Sequence, residues 1–125
     1  CWDEEGICGL DYEDMEEKLC KTRSMRQFLF ASQPDRTCLG VLGRFEKAME
    51  IYQKHDVYVI SDEIWSDLTL PGYQHIPTQS VSEDAKNRTI ALYAPSKTFN
   101  LAGLIGSYHI IYNSYLRDRV CMEGR

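Results

Sequence analysis

The sequence predicts an α/β fold around a mostly parallel sheet. Two observations carry that expectation. Four short runs, 27–31 (QFLFA), 57–60 (VYVI), 89–93 (TIALY) and 108–112 (YHIIY), are rich in β-branched and aromatic residues, as buried strands are. Amphipathic helical spacing precedes the first run and separates it from the second. Strands alternating with helices indicate parallel crossovers.

Taken in order, Tyr12, Met15 and Leu19 recur at helical spacing, with Asp11 placed as an N-cap and acids in the first turn to suit the helix dipole. QFLFA is a short apolar run that reads as a buried strand, and residues 32–43 read as loop. Phe45, Met49 and Tyr52, with Ala48 beside them, mark a helix ending near Lys54 and His55. VYVI follows directly and is expected to be covered on both faces. Pro71-Gly72 and Pro95 punctuate the loops around TIALY. His109, within YHIIY, is expected as a core histidine, and Tyr52, Tyr58, Tyr93, Tyr108 and Tyr112 lie at core spacing.

The chain has 125 residues, one domain's worth, with 14 Lys and Arg against 19 Asp and Glu, a net charge of −5. That balance argues against nucleic acid and anionic membranes as partners, since both select a basic face. A hydrophobic content of 43% with 26% charged residues is globular composition and excludes general disorder. No apolar run approaches the roughly 20 residues of a membrane span, and no signal peptide opens the sequence. Five cysteines without C-x-x-C spacing argue against a disulfide scaffold or a structural zinc site, and fit a reducing cytoplasm. A first residue that is Cys, and a last residue within an apparent helix, suggest a piece of a longer protein.

Ligands of open α/β sheets gather at the carboxyl ends of strands. Two such ends carry unusual residues: Ser61-Asp62-Glu63 after the second run, and Ser96-Lys97 after the third. On spacing alone, an acid and a lysine at one sheet edge read first as a structural ion pair. His75 and His109 are too scattered to make a metal set with Asp62 and Glu63, and no metal is expected.

The local strings add to this. SDEIWSDL (61–68) and APSKTFNLAGL (94–104), with Pro71-Gly72-Tyr73, His75-Ile76-Pro77 and Asn87-Arg88-Thr89 between them, resemble the fold-type-I pyridoxal-phosphate enzymes. The likeness is to the cystalysin and cystathionine β-lyase branch of the class I/II aminotransferase family, and it runs over residues 9–120. It implies a three-layer α/β/α large domain with a mostly parallel sheet, of which residues 1–125 are an incomplete part. The N-terminal segment and the C-terminal small domain would lie outside the chain. By position, Lys97 would hold pyridoxal 5'-phosphate as a Schiff base and later move the substrate's Cα proton. Asp62 would keep the pyridine nitrogen protonated. Ser96 would help hold the phosphate or simply stabilise its turn, and Glu63 is expected to bond nearby backbone.

The parent activity implied is a C–S β-lyase on cystathionine or cysteine conjugates. The alternatives are an aminotransferase or a non-catalytic remnant. The parent would be a cytoplasmic homodimer acting on amino acids, and the isolated chain would have little or no turnover.

Three departures qualify the likeness. Trp65 stands where many relatives have Tyr or His near the cofactor's phenolic oxygen. Its indole can donate one hydrogen bond but cannot titrate, so it is expected to fill space beside the cofactor. Residues 101–107 contain no arginine for phosphate, as in the lyase branch. Finally, residues 30–40 read FASQPDRTCLG where the family has a loop like CSPHNPTGRAW, which includes an asparagine that binds the phenolic oxygen. Codons permitted for FASQPDRTCLG, read one base later, give SPHNPTGRAW. Permitted codons thus allow a shifted reading frame over this stretch, from a sequence error or a damaged gene; if the residues stand as written, Arg36 and its neighbours cannot supply the asparagine's hydrogen bond.

Overall fold

The computed structural model describes residues 11–21, 27–31, 41–72 and 74–123. The stretch that departs from the family loop, residues 32–40, lies outside the described residues. Helix α1 (Tyr12–Lys21) leads to strand β1 (Gln27–Ala31), helix α2 (Val41–Lys54) and strand β2 (Tyr58–Asp62). A 3-10 turn (Thr78–Ser80) and helix α3 (Glu83–Arg88) precede strand β3 (Thr89–Tyr93). Helix α4 (Pro95–Thr98), strand β4 (Tyr108–Ile110) and helix α5 (Ser114–Glu123) complete the order.

The strands form one sheet in the order β1-β2-β3-β4. β1, β2 and β3 are parallel, because helices carry the chain back between them, while β4 pairs antiparallel to β3. The register sets Ala31 opposite Asp62, Asp62 opposite Leu92 and Leu92 opposite His109. The expected α/β class with a mostly parallel sheet is thus observed, as a mixed sheet of four strands among the described residues.

Local signals start and stop the helices, and α1 and α2 each turn a face to the core. Asp11 caps α1, its Oδ1 accepting the Asp14 N–H at 3.1 Å. Leu19, Ala48, Met49, Tyr52, Val57, Val59 and Ala85 form the core, and Tyr12, Met15, Ile51 and Val81 pack against it. α2 ends in a turn that needs a left-handed residue, and Asp56 takes it at φ 51°. α3 is capped by Ser82, whose hydroxyl accepts the Ala85 N–H at 3.0 Å. Arg88 closes it, pairing with Asp84 and donating from Nη1 to the Val57 carbonyl at 2.8 Å. Gln79 ties the sheet across its change of direction, its amide nitrogen donating to Thr89 O at 2.8 Å and to Ile110 O at 2.9 Å.

Three expectations are corrected. β2 runs to Asp62 and does not stop at Ile60, because pairing with β3 continues through Asp62 and Leu92. Its faces also differ: Val59 and Ser61 are buried, while Tyr58, Ile60 and Asp62 are half-buried. The run 108–112 gives a strand of only three residues, all exposed, so His109 is not a core histidine. Tyr108 and Tyr112 are likewise exposed, at 57% and 53%, whereas Tyr52 is buried. β4 is the edge of this sheet, and apolar composition alone does not distinguish an edge strand from a central one.

Candidate functional site

The carboxyl ends of β2 and β3 lie side by side, and the chain leaves each in a tight turn. After β2, Glu63 still pairs like a strand residue, its N–H donating to Leu92 O at 2.8 Å. The chain then turns: Ser66 N–H donates to Glu63 O at 3.0 Å, and Leu68 N–H to Trp65 O at 3.0 Å. Asp62 is half-buried, and its Oδ1 accepts the Ile64 N–H at 3.2 Å. One carboxylate oxygen therefore secures the turn, and the other has no hydrogen-bond partner among the described residues.

After β3, Pro95 opens α4, where its fixed φ and missing N–H cost nothing. Lys97 sits on this single turn, exposed, with Nζ 5.6 Å from the centroid of the Trp65 ring. That is a cation–π contact. Ser96 is half-buried beside it. Asn100, at φ 52°, reverses the chain, and Leu101 N–H donates to Ser96 O at 2.9 Å. A second tie joins the two turns: Thr98 Oγ1 donates to Asp67 Oδ2 at 2.8 Å.

Lys97, Trp65 and Ser96 are thus grouped at one sheet edge, next to the strand that ends in Asp62. Asp62 and Lys97 form no ion pair with each other, so the structural pairing that their spacing allows is not what holds them. Tyr93 closes the side toward β4, its ring stacked on Tyr108 with centroids 5.3 Å apart. Burial, reinforced by the negative charge of Glu63 and neighbouring phenols, pushes the Tyr93 hydroxyl up to about 12, so it stays protonated.

Glu63 bonds backbone, as expected, and does more. Its fully buried carboxylate accepts the Thr78 N–H at 3.0 Å and the Ser61 hydroxyl at 2.9 Å. Its second oxygen bonds His75 Nε2. Burial alone would raise this carboxyl, but the bonds from His75, Thr78 and Ser61 outweigh it and hold it below the ordinary value. Sequence reasoning weighed His75 only as a metal ligand, and it gave no role to Thr78 or Asp67. The signal available for the first was the pair of consecutive acids at a strand end, which must face opposite sides. No signal joins Asp67 to Thr98, 31 positions on. Among the described residues no group of three metal-ligating side chains converges.

The family model for aminotransferase class I and II matches residues 1–120. The chain belongs to this family. Within it, the chain is 39% identical over 111 residues to the cystathionine beta-lyase PatB of Bacillus subtilis (strain 168), covering 87% of this chain and 28% of that protein. It is 32% identical over 117 residues to the protein MalY of Escherichia coli (strain K12), covering 92% and 29%. The fold is similar to that of cystalysin from Treponema denticola, whose crystal structure contains a pyridoxal 5'-phosphate cofactor, at a TM-score of 0.80 and 33% identity over 95% of this chain and 30% of that one. The chain therefore spans less than a third of the length of these family members.

Proposed function

We propose that this chain is part of the large domain of a pyridoxal-phosphate-dependent C–S β-lyase, one that releases thiol, pyruvate and ammonia from cystathionine or cysteine conjugates. The observation that carries this reading is the Lys97 amine, exposed, outside any ion pair with Asp62 and held beside Trp65, one strand away from a carboxylate with one oxygen unbonded among the described residues. That donor set fits the two ends of the cofactor ring. A primary amine can hold the aldehyde carbon, and a carboxylate can hold a protonated pyridine nitrogen. The names of PatB and cystalysin favour the lyase branch.

Bound there, pyridoxal phosphate supplies an electron sink for the charge left when a proton leaves the substrate's Cα. The residues do the rest. Asp62 keeps the ring nitrogen protonated through a charge-assisted hydrogen bond. Lys97 would hold the cofactor's aldehyde carbon, and its free amine would accept the Cα proton. Trp65 lies against the lysine and limits where its amine can point, and Ser96 offers a hydroxyl to the phosphate. The whole protein acts as a cytoplasmic homodimer whose remaining segments, including the small domain, bind the amino-acid substrate.

Borohydride trapping tests the reading. The chain is incubated with pyridoxal phosphate, reduced and digested, and the peptides are weighed. The expected result is a phosphopyridoxyl group on Lys97, with the other five lysines largely unmodified, and loss of that label in Lys97→Arg. Label scattered over the lysines overturns the proposal.

A further inference from the structure

The two acids that end β2 have opposite surroundings. Asp62 is half-buried and faces the site, whereas Glu63 is fully buried on the other side of the strand. A carboxylate out of water carries a large desolvation cost and is kept only where several donors meet it. Glu63 has three, each from a different stretch: Ser61 from β2, the Thr78 N–H from the 3-10 turn, and His75 from the loop before that turn. Thr78 Oγ1 and Ser61 Oγ share a further bond at 2.8 Å, which ties two of the donors together. The chain from 63 to 78 is thereby a closed loop with both ends fastened at one carboxylate.

The first turn of that loop is tied both to the Lys97 turn and to the end of β2. Trp65 lies under Lys97 Nζ, Asp67 accepts from Thr98, and the Ile64 N–H is held by Asp62. Among the described residues no hydrogen bond or ion pair joins the Glu63 side chain to α4. We infer that Glu63 is a positioning residue, whose buried carboxylate closes the 63–78 loop and so holds Trp65 and Asp67 against the Lys97 turn, next to Asp62 at the end of β2. The inference rests on the cofactor reading of Asp62 and Lys97, but its structural half can be read without cofactor.

The test compares Glu63→Met, which keeps the length and loses every acceptor, with Glu63→Gln, which keeps the oxygen facing Ser61 and Thr78. In the full chain, the Ile64 and Ser66 amides are expected to exchange about tenfold faster in Glu63→Met and within about threefold of wild type in Glu63→Gln, while Val59 in mid-strand stays unchanged. The pyridoxal phosphate concentration that half-labels Lys97 is expected to rise about tenfold in Glu63→Met, with the label at saturation preserved.

A Glu63→Met chain that protects Ile64 as wild type does overturns the inference, because Glu63 then only fills space. Equal acceleration at Val59 overturns it too, since that reports general stability. If both variants fail to fold, His75→Leu removes one donor from a side chain already 14% exposed. It is expected to speed Ile64 exchange about threefold, and a wild-type rate there overturns the inference. Absent labelling of the wild-type chain, with the exchange pattern intact, leaves the loop closure standing and removes the cofactor reading.

Discussion

Residue chemistry at the end of β2 sets a pH limit on the fold. Glu63 is held below its ordinary value of 4.5 by His75, Thr78 and Ser61, against the opposing effect of burial. A carboxyl depressed in the folded state stabilises fully above its unfolded value, and that stability is lost as pH falls through the folded value. Urea midpoints should therefore be flat above about pH 5 and fall steeply below 4.5, with a shallower fall in Glu63→Gln. An equally steep fall in Glu63→Gln would assign the acid sensitivity to another carboxylate. The groups facing Glu63 are His75 and, across the sheet, the Tyr93 phenol, which stays neutral over this range.

At this scale the sequence was legible where side-chain type is dictated by chemistry. Asp62, Trp65, Ser96 and Lys97 stand out as a set because their local strings resemble a family; the structure sets Lys97 beside Trp65 and ends the neighbouring strand at Asp62. His109 misled, because an imidazole inside an apolar run looks the same whether its strand is central or at an edge. The Glu63 nest was only half visible. A buried carboxylate announces that donors exist without saying which, and Thr78 gives a backbone N–H that has no side-chain signature.

Among the elements, α2 and the strand it feeds share one core, which includes Val57 and Val59. Ala48, Met49 and Tyr52 turn one face to the core, and each is at most 4% exposed. Met49→Ala should cost about 2–5 kcal/mol, seen as a lower urea midpoint with an unchanged slope. This face was readable from i, i+4, i+7 spacing because burial on a helix follows geometry. α3 was missed despite its Ser82 cap, its first-turn acids and Arg88 in its last turn, because six residues are too few to show a period. β4 was overestimated because nothing in YHIIY marks where pairing stops. Gln79 supplies that stop: its amide holds Thr89 and Ile110, the start of β3 and the end of β4.

The whole molecule leaves a broad apolar surface on one stretch of chain. Phe99, Leu104, Ile105, Tyr108, Tyr112 and Tyr115 are each more than half exposed. Patches of this kind are covered by protein in stable assemblies. The chain alone should therefore self-associate at micromolar concentration, measured by light scattering. Replacing Ile105 and Phe99 by Lys and Ser should reduce that association at least fivefold with little change in melting temperature, since neither side chain contributes to the core. Unchanged scattering would place the contact elsewhere.

The alternation of Asp62 and Glu63 also constrains how the sheet assembles. A strand that slips by one position exchanges its two faces, which here would swap the acids. Asp62 would face the Thr78 N–H and His75 with a side chain one methylene shorter, while Ser61, which shares a face with Glu63, would turn away with it, so that one of the three donors is lost. A misaligned β2 thus buries a poorly satisfied charge at the moment it pairs with β3. The nest acts as a gauge of alignment, rejecting the wrong pairing during folding before any ligand is present to select the right one.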